Sequence, residues 1–156
     1  MDKSVYNLQI EPSEKEYKNL LDYASVDCRY ALIVIRDTIR LSFHGQKIMG
    51  KLSNYLHKEQ QTDQWPGTKL LDRKARVLEY HYVPEVAEIF KTNTSKLFQW
   101  LQPDLPEDLC LLREDETPWL VTISHEKDAY FVLSEKEKDN LFSSLPQYQF
   151  LLEKET

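Results

Sequence analysis

Glycine is scarce in this chain, with only Gly45, Gly50 and Gly67 among 156 residues. Three such isolated glycines cannot build a dinucleotide fingerprint or a phosphate-cradling P-loop, because both need backbone to approach phosphate closely. Cysteine is scarcer still. Cys28 and Cys110 stand 82 positions apart, so neither belongs to a Cys-x-x-Cys pair, and zinc-ribbon and thioredoxin-like arrangements are excluded. No Gly-x-Ser-x-Gly nucleophile elbow occurs. Long apolar runs are missing too. The longest, Tyr30 to Ile35, is followed at once by Arg36 and falls far short of the roughly 18 residues a membrane span needs. Met1-Asp2-Lys3-Ser4 has neither the basic start nor the apolar core of a signal peptide. The expectation is therefore a cytoplasmic chain with reduced, buried thiols, no cofactor and no membrane contact.

What is present reads as one globular domain over residues 1–156. Hydrophobic residues make up 41% and charged residues 29%, a balance that can bury a core without staples. A net charge of −6 argues against nucleic acid as a partner. Its distribution says more. Residues 36–76 hold nine Lys or Arg against four Asp or Glu, a balance of +5. Residues 104–156 hold five against thirteen, a balance of −8. Whether the two regions face each other or stand apart decides how much of either charge a partner would feel.

Local patterns give the elements. Ser13 with Glu16, and Ser134 with Glu137, have capping-box spacing, so helices are expected over 13–25 and after Ser134. Ile33, Val34 and Ile35 are β-branched and predict a central strand over 29–36, with extended pattern running on through Ile39, Leu41 and Phe43. Ile48, Met49, Leu52, Tyr55 and Leu56 recur at helical spacing and predict a helix of about four turns. In 75–83, Leu78, Tyr80 and Tyr82 point one way, and Val77, Glu79, His81 and Val83 the other. Pro84 opens a third helix, whose apolar positions run to Leu101. Strands over 109–113, 119–124 and 129–133 are joined by hairpin-length turns. The expected class is α+β, a mostly antiparallel sheet of about five strands with helices on one face, in the order α-β-α-β-α-β-β-β-α.

Three groups of residues are candidates for function. Ser124-His125-Glu126-Lys127-Asp128 begins like a metalloprotease motif, but the second histidine is replaced by Ala129. What remains is His125 as a proton shuttle oriented by Glu126 or Asp128, against the plainer reading of a polar β-turn. Glu79 and His81 share a strand face at i, i+2, and with His125 nearby they would make a metal or acid–base site; otherwise they line a wet sheet face. The third group is the acidic run Asp104, Glu107, Asp108, Glu114, Asp115 and Glu116, broken only by Arg113. It either docks a basic protein or simply solvates two turns. Trp65, beside Pro66-Gly67, is expected to be the most exposed of the three tryptophans and part of that partner surface.

Trp65-Pro66-Gly67-Thr68, Leu105-Pro106-Glu107-Asp108-Leu109, and Trp119-Leu120 leading into Ile123-Ser124-His125-Glu126 and Asp128-Ala129-Tyr130 carry a resemblance. Together, over residues 30–134, they resemble an uncharacterised group of small bacterial proteins. The resemblance implies a bacterial, cytoplasmic origin and transfers no activity or catalytic residue. The leading expectation is a non-enzymatic protein-binding module, in its specific form an inhibitor- or immunity-type protein masking a basic partner through acidic turns. The alternatives are a small enzyme using a histidine–carboxylate loop and a self-associating structural protein.

Overall fold

Both serine–glutamate boxes form as their spacing requires. The Ser13 hydroxyl accepts from the Glu16 backbone N–H (3.2 Å), and the Glu16 carboxylate accepts from the Ser13 N–H (2.8 Å). Ser134 and Glu137 repeat the pair at 3.2 and 2.8 Å. The computed structural model describes residues 2–156. Its chain order is β1 (Lys3–Leu8), α1 (Glu14–Tyr23), β2 (Tyr30–Ile35), α2 (Phe43–Leu52), β3 (Leu56–Thr62), β4 (Gln64–Trp65), β5 (Thr68–Lys69), β6 (Ala75–His81), α3 (Pro84–Asn93), β7 (Glu107–Leu112), β8 (Pro118–Ile123), β9 (Asp128–Ser134), α4 (Glu135–Ser144), α5 (Tyr148–Leu151) and β10 (Leu152–Lys154).

Eight strands form one antiparallel sheet in the order β10-β1-β9-β8-β7-β2-β6-β3, with β4 and β5 a separate hairpin. The α+β class is as expected, but the count of about five strands and the expected element order are not. Three strands account for the main sheet's excess. β1 and β10 pair with each other at one edge, and β3 pairs with β6 at the other. The helix expected to reach Leu56 ends at Leu52, after which Leu56 to Thr62 extends. The extended pattern expected beyond Arg36 also stops, because Ser42 caps α2 by accepting from the Gly45 N–H (3.1 Å).

The helices share one face of the sheet. Their core joins Tyr17, Leu20, Phe90, Leu141 and Tyr148 to Ile33, Tyr80 and Phe131 from the strands. Two of its buried tyrosine hydroxyls, those of Tyr17 and Tyr82, are paired with backbone carbonyls. The Tyr17 hydroxyl donates to the Phe90 carbonyl (3.0 Å) and accepts from Trp100 Nε1 (2.9 Å). Cys28 lies in this core, Cys110 lies on the opposite face, and both are free thiols. Among the described residues no helix is long and apolar enough to cross a membrane.

The second face is smaller and has no helix over it. Leu32, Val34, Val77, Cys110, Leu112 and Val121 meet Trp65 there, with Leu70 alongside. The arm of residues 63–74 supplies this cover by folding from β3 across to β8. Gly67 makes the crossing feasible. Its φ is +87°, and a Cβ there would lie 2.8 Å from Val121 Cγ1 and 3.2 Å from Ile123 Cγ1. Gly67→Ala is therefore expected to cost about 1–3 kcal/mol through strain and overpacking together. Urea unfolding monitored by tryptophan fluorescence reads that loss directly.

Candidate functional site

The arm covers only the middle of the second face and leaves a polar cluster at one end, where β2, β6 and β3 lie side by side. Strand alternation puts Glu79 and His81 on this face with Val77, and across the ladder to β2 His81 faces Tyr30 while Glu79 faces Leu32. A bulge in β3 completes the group. Leu56 pairs with Tyr80 and Lys58 with Glu79, so His57 is an extra residue between them. Bulges re-aim side chains. This one lets His57 and Lys58 both reach the cluster, His57 toward Glu79 and Lys58 toward Glu116.

The His57 ring stacks on Tyr30 at 4.6 Å between centroids and meets His81 edge-on at 4.8 Å. His57 Nε2 lies 3.8 Å from Glu79 Oε2. Glu116 arrives from the β7–β8 turn with a φ of +66°, in the left-handed region that usually takes glycine. Its carboxylate pairs with Lys58 Nζ at 2.5 Å.

Glu79 is the unusual member. It is only 4% exposed, and its Oε2 has no hydrogen-bond donor. Burial pushes its carboxyl up to about 7, with the neighbouring Glu116 carboxylate acting in the same direction and Lys58 opposing. Glu116 moves the other way, held below the usual carboxylate range chiefly by Lys58.

His125 does not join this cluster. It stands exposed at the other end of β7, separated by a strand of six residues, roughly 17 Å. Its neighbours there are Glu107 and Asp108. Glu126 is exposed in the same short helical turn, and Asp128 begins β9, where its carboxylate accepts from the Ala129 N–H (2.9 Å).

The acidic run divides sharply. Asp104, Glu114 and Asp115 are exposed, but Glu107 and Asp108 are buried at 3% and 0%. Asp108 accepts from Trp65 Nε1 (3.1 Å) and from the Ser124 N–H (3.0 Å). The Arg36 guanidinium approaches Glu107 at 3.4 Å and Asp108 at 3.5 Å, and lies 5.3 Å from the Trp65 ring centroid. Burial raises the Glu107 carboxyl, and Arg36 opposes the shift. Trp65, expected at the surface, is thus buried, because its ring closes the second core while its N–H satisfies Asp108. Arg36 and Lys58 from the basic region neutralise Glu107, Asp108 and Glu116 from the acidic one, so half of the run is spoken for within the fold.

At the far side of the second face lies a surface that single-residue motifs do not reveal. Across β9, β1 and β10 the register aligns Tyr130, Asn7 and Glu153 in one row, with Val132 and Val5 in another. The Glu155 N–H bonds to the Val5 carbonyl (2.8 Å) and extends the second row. Tyr130, Val5 and Val132 are half-buried, whereas Asp128, Glu153 and Glu155 are exposed. Burial raises the Tyr130 hydroxyl, and Asp128 and Glu155 push it further. Compared with protein-family models, with curated proteins and with solved structures, the chain matches none.

Proposed function

We propose that this chain is a non-enzymatic protein-binding module that docks a basic partner on the uncovered β9–β1–β10 half of the second face. One observation supports this reading: three exposed carboxylates, Asp128, Glu153 and Glu155, surround the half-buried Tyr130, Val5 and Val132. An apolar and aromatic centre with a charged rim is the usual anatomy of a protein interface. Among the described residues none of the three is in an ion pair, and like charges gathered on a surface favour a partner of opposite sign and speed its arrival. Glu114 and Asp115 on the β7–β8 turn add steering charge, whereas Glu107 and Asp108 serve the fold. An inhibitor- or immunity-type protein that masks a basic surface, working in the cytoplasm, is the specific form of the proposal.

The test is capture from lysate of the source organism by the wild type and by an Asp128→Lys, Glu153→Lys, Glu155→Lys triple variant. The expected result is a basic protein held by the wild type at low salt, released at high salt and lost by the triple variant. Retention by the triple variant, or recovery of no basic protein, counts against the proposal.

A second reading, a small enzyme working through a histidine and a carboxylate, is favoured by Glu79 buried beside His57 and His81. An activity abolished by His57→Ala and kept by His125→Ala would support it over the binding module.

A further inference from the structure

We propose that His57, Glu79 and Glu116 form a binding site for a divalent first-row transition ion of the zinc class, independent of the docking surface. One ligand atom from each residue lies within 4.8 Å of the others, and His57 Nε2 and Glu79 Oε2 are already 3.8 Å apart. Donors around a tetrahedral zinc, with bonds of about 2.0–2.1 Å, sit roughly 3.4 Å from one another. Side-chain rotation of less than a bond length closes the set.

The observation that points to a ligand is Glu79 Oε2, buried and without any donor. A carboxylate taken out of water without a partner is costly, and such groups pair or hold metals. Glu79 is aimed at the space between His57 and Glu116, where a cation would supply the missing partner. Three structural features bring the donors together from separate strands. β6 places Glu79 by alternation, the bulge in β3 adds His57, and the left-handed residue of the β7–β8 turn brings Glu116.

One imidazole with two carboxylates is a donor set for zinc, manganese or cobalt. Magnesium prefers an all-oxygen octahedron that keeps its waters. The open side of the cluster leaves room for water, or for His81, whose ring lies 4.8 Å from that of His57. Lys58 is the resident competitor. Its ammonium contacts Glu116 at 2.5 Å, but its side chain is half-exposed and free to swing into solvent. The other carboxylate–histidine group, Glu107, Asp108 and His125, is a poorer site. Arg36 already stands against its carboxylates, and Trp65 and Ser124 occupy both Asp108 oxygens.

The rival account of the bare oxygen is a proton shared between Glu79 and Glu116, and metal titration separates the two. Full-length protein stripped with chelator is titrated with Zn2+ by calorimetry at neutral pH, and with Co2+ by visible absorption. One saturable equivalent is expected, with at least roughly tenfold weaker binding in both His57→Ala and Glu79→Gln, a loss at least as large as disturbing a supporting residue causes. Lys58→Met is expected to tighten binding several-fold by removing the competing ammonium, and His125→Ala to leave it unchanged. Thermal melts of each variant without metal establish that it is folded. The proposal is overturned by the absence of a saturable equivalent, by Mg2+ binding as tightly as Zn2+, or by affinity that survives His57→Ala and Glu79→Gln but not His125→Ala.

Discussion

Glu79→Gln is expected to make the metal-free protein more stable at pH 8, by about 1–3 kcal/mol, and to leave it unchanged at pH 4. The sign follows from which state holds the proton more tightly. The Glu79 carboxyl is raised to about 7 in the folded chain, from an ordinary value of 4.5. Below pH 4.5 both states are protonated, and the neutral side chain contributes its full stability. Between pH 4.5 and 7 the unfolded chain ionises while the folded chain keeps its proton, so stability falls as pH rises. Above 7 the folded protein carries the charge beside Glu116 in a site that burial has dried. Glutamine imitates the protonated carboxyl at every pH and removes that slope.

Glu79 and Glu116 share a hydrogen bond that raises one carboxyl and lowers the other, so part of the Glu79 displacement belongs to the pair. For this reason the expected gain at pH 8 stays below the full displacement of Glu79. At about 2–4 °C per kcal/mol for a domain of this size, the midpoint of thermal unfolding should rise by several degrees at pH 8. Melts in chelator across pH 4–9 measure it. A Glu79→Gln protein less stable than the wild type at pH 8 would mean that the ionised carboxylate is satisfied, and would remove the reason to regard it as unpaired.

How much of this was legible in the chain depended on whether the cause was local. The two capping boxes needed only residues three apart. β6 was legible because Leu78, Tyr80 and Tyr82 alternate with Val77, Glu79 and His81, and each set meets a different core. The same alternation placed Glu79 and His81 on one face. β3 was illegible because His57 to Gln61 are polar and exposed, so no apolar period marks the strand. Only its ladder to β6 defines it, and that ladder is tertiary. Hence no sequence pattern marks His57, carried by a bulge in an unmarked strand, whereas His125 stands among carboxylates in the chain itself. The register of β6, β2 and β7 sets His81 beside Tyr30 and Leu112 at one end of the second face, and His125 beside Glu107 and Asp108 at the other. Trp65 is buried against expectation for a related reason. Pro66-Gly67 does mark a turn, but a turn folded back on a sheet buries its aromatic residue instead of displaying it.

Asp108→Ala is expected to lower stability by about 3–5 kcal/mol, as much as emptying a large core position. Asp108 is fully buried, and its carboxylate serves three cationic or donor groups at once: Trp65 Nε1, the Ser124 N–H and the Arg36 guanidinium. Alanine leaves two buried donors unmatched, and a guanidinium near Glu107 with half its counter-charge gone. It also keeps the backbone penalty, because φ at this position is +57°, which aspartate and asparagine tolerate better than alanine. Asp108→Asn should fall between the two. It preserves shape and backbone preference and can still accept one hydrogen bond, but it loses the charge opposite Arg36. Denaturant unfolding orders the three proteins as wild type, Asp108→Asn, Asp108→Ala, with midpoints of thermal unfolding spread over on the order of 10 °C. The consequence reaches beyond stability. Trp65 anchors the arm, and β3 leads into the arm, so loosening Trp65 should also free the edge that carries His57. Nitrogen resonances of His57 shifting in Asp108→Asn, with those of His44 unmoved, would show that this buried carboxylate holds the distant cluster in place. Equal stability of all three proteins would show that Arg36 and Trp65 find other partners, and that the arm is held by apolar contact alone.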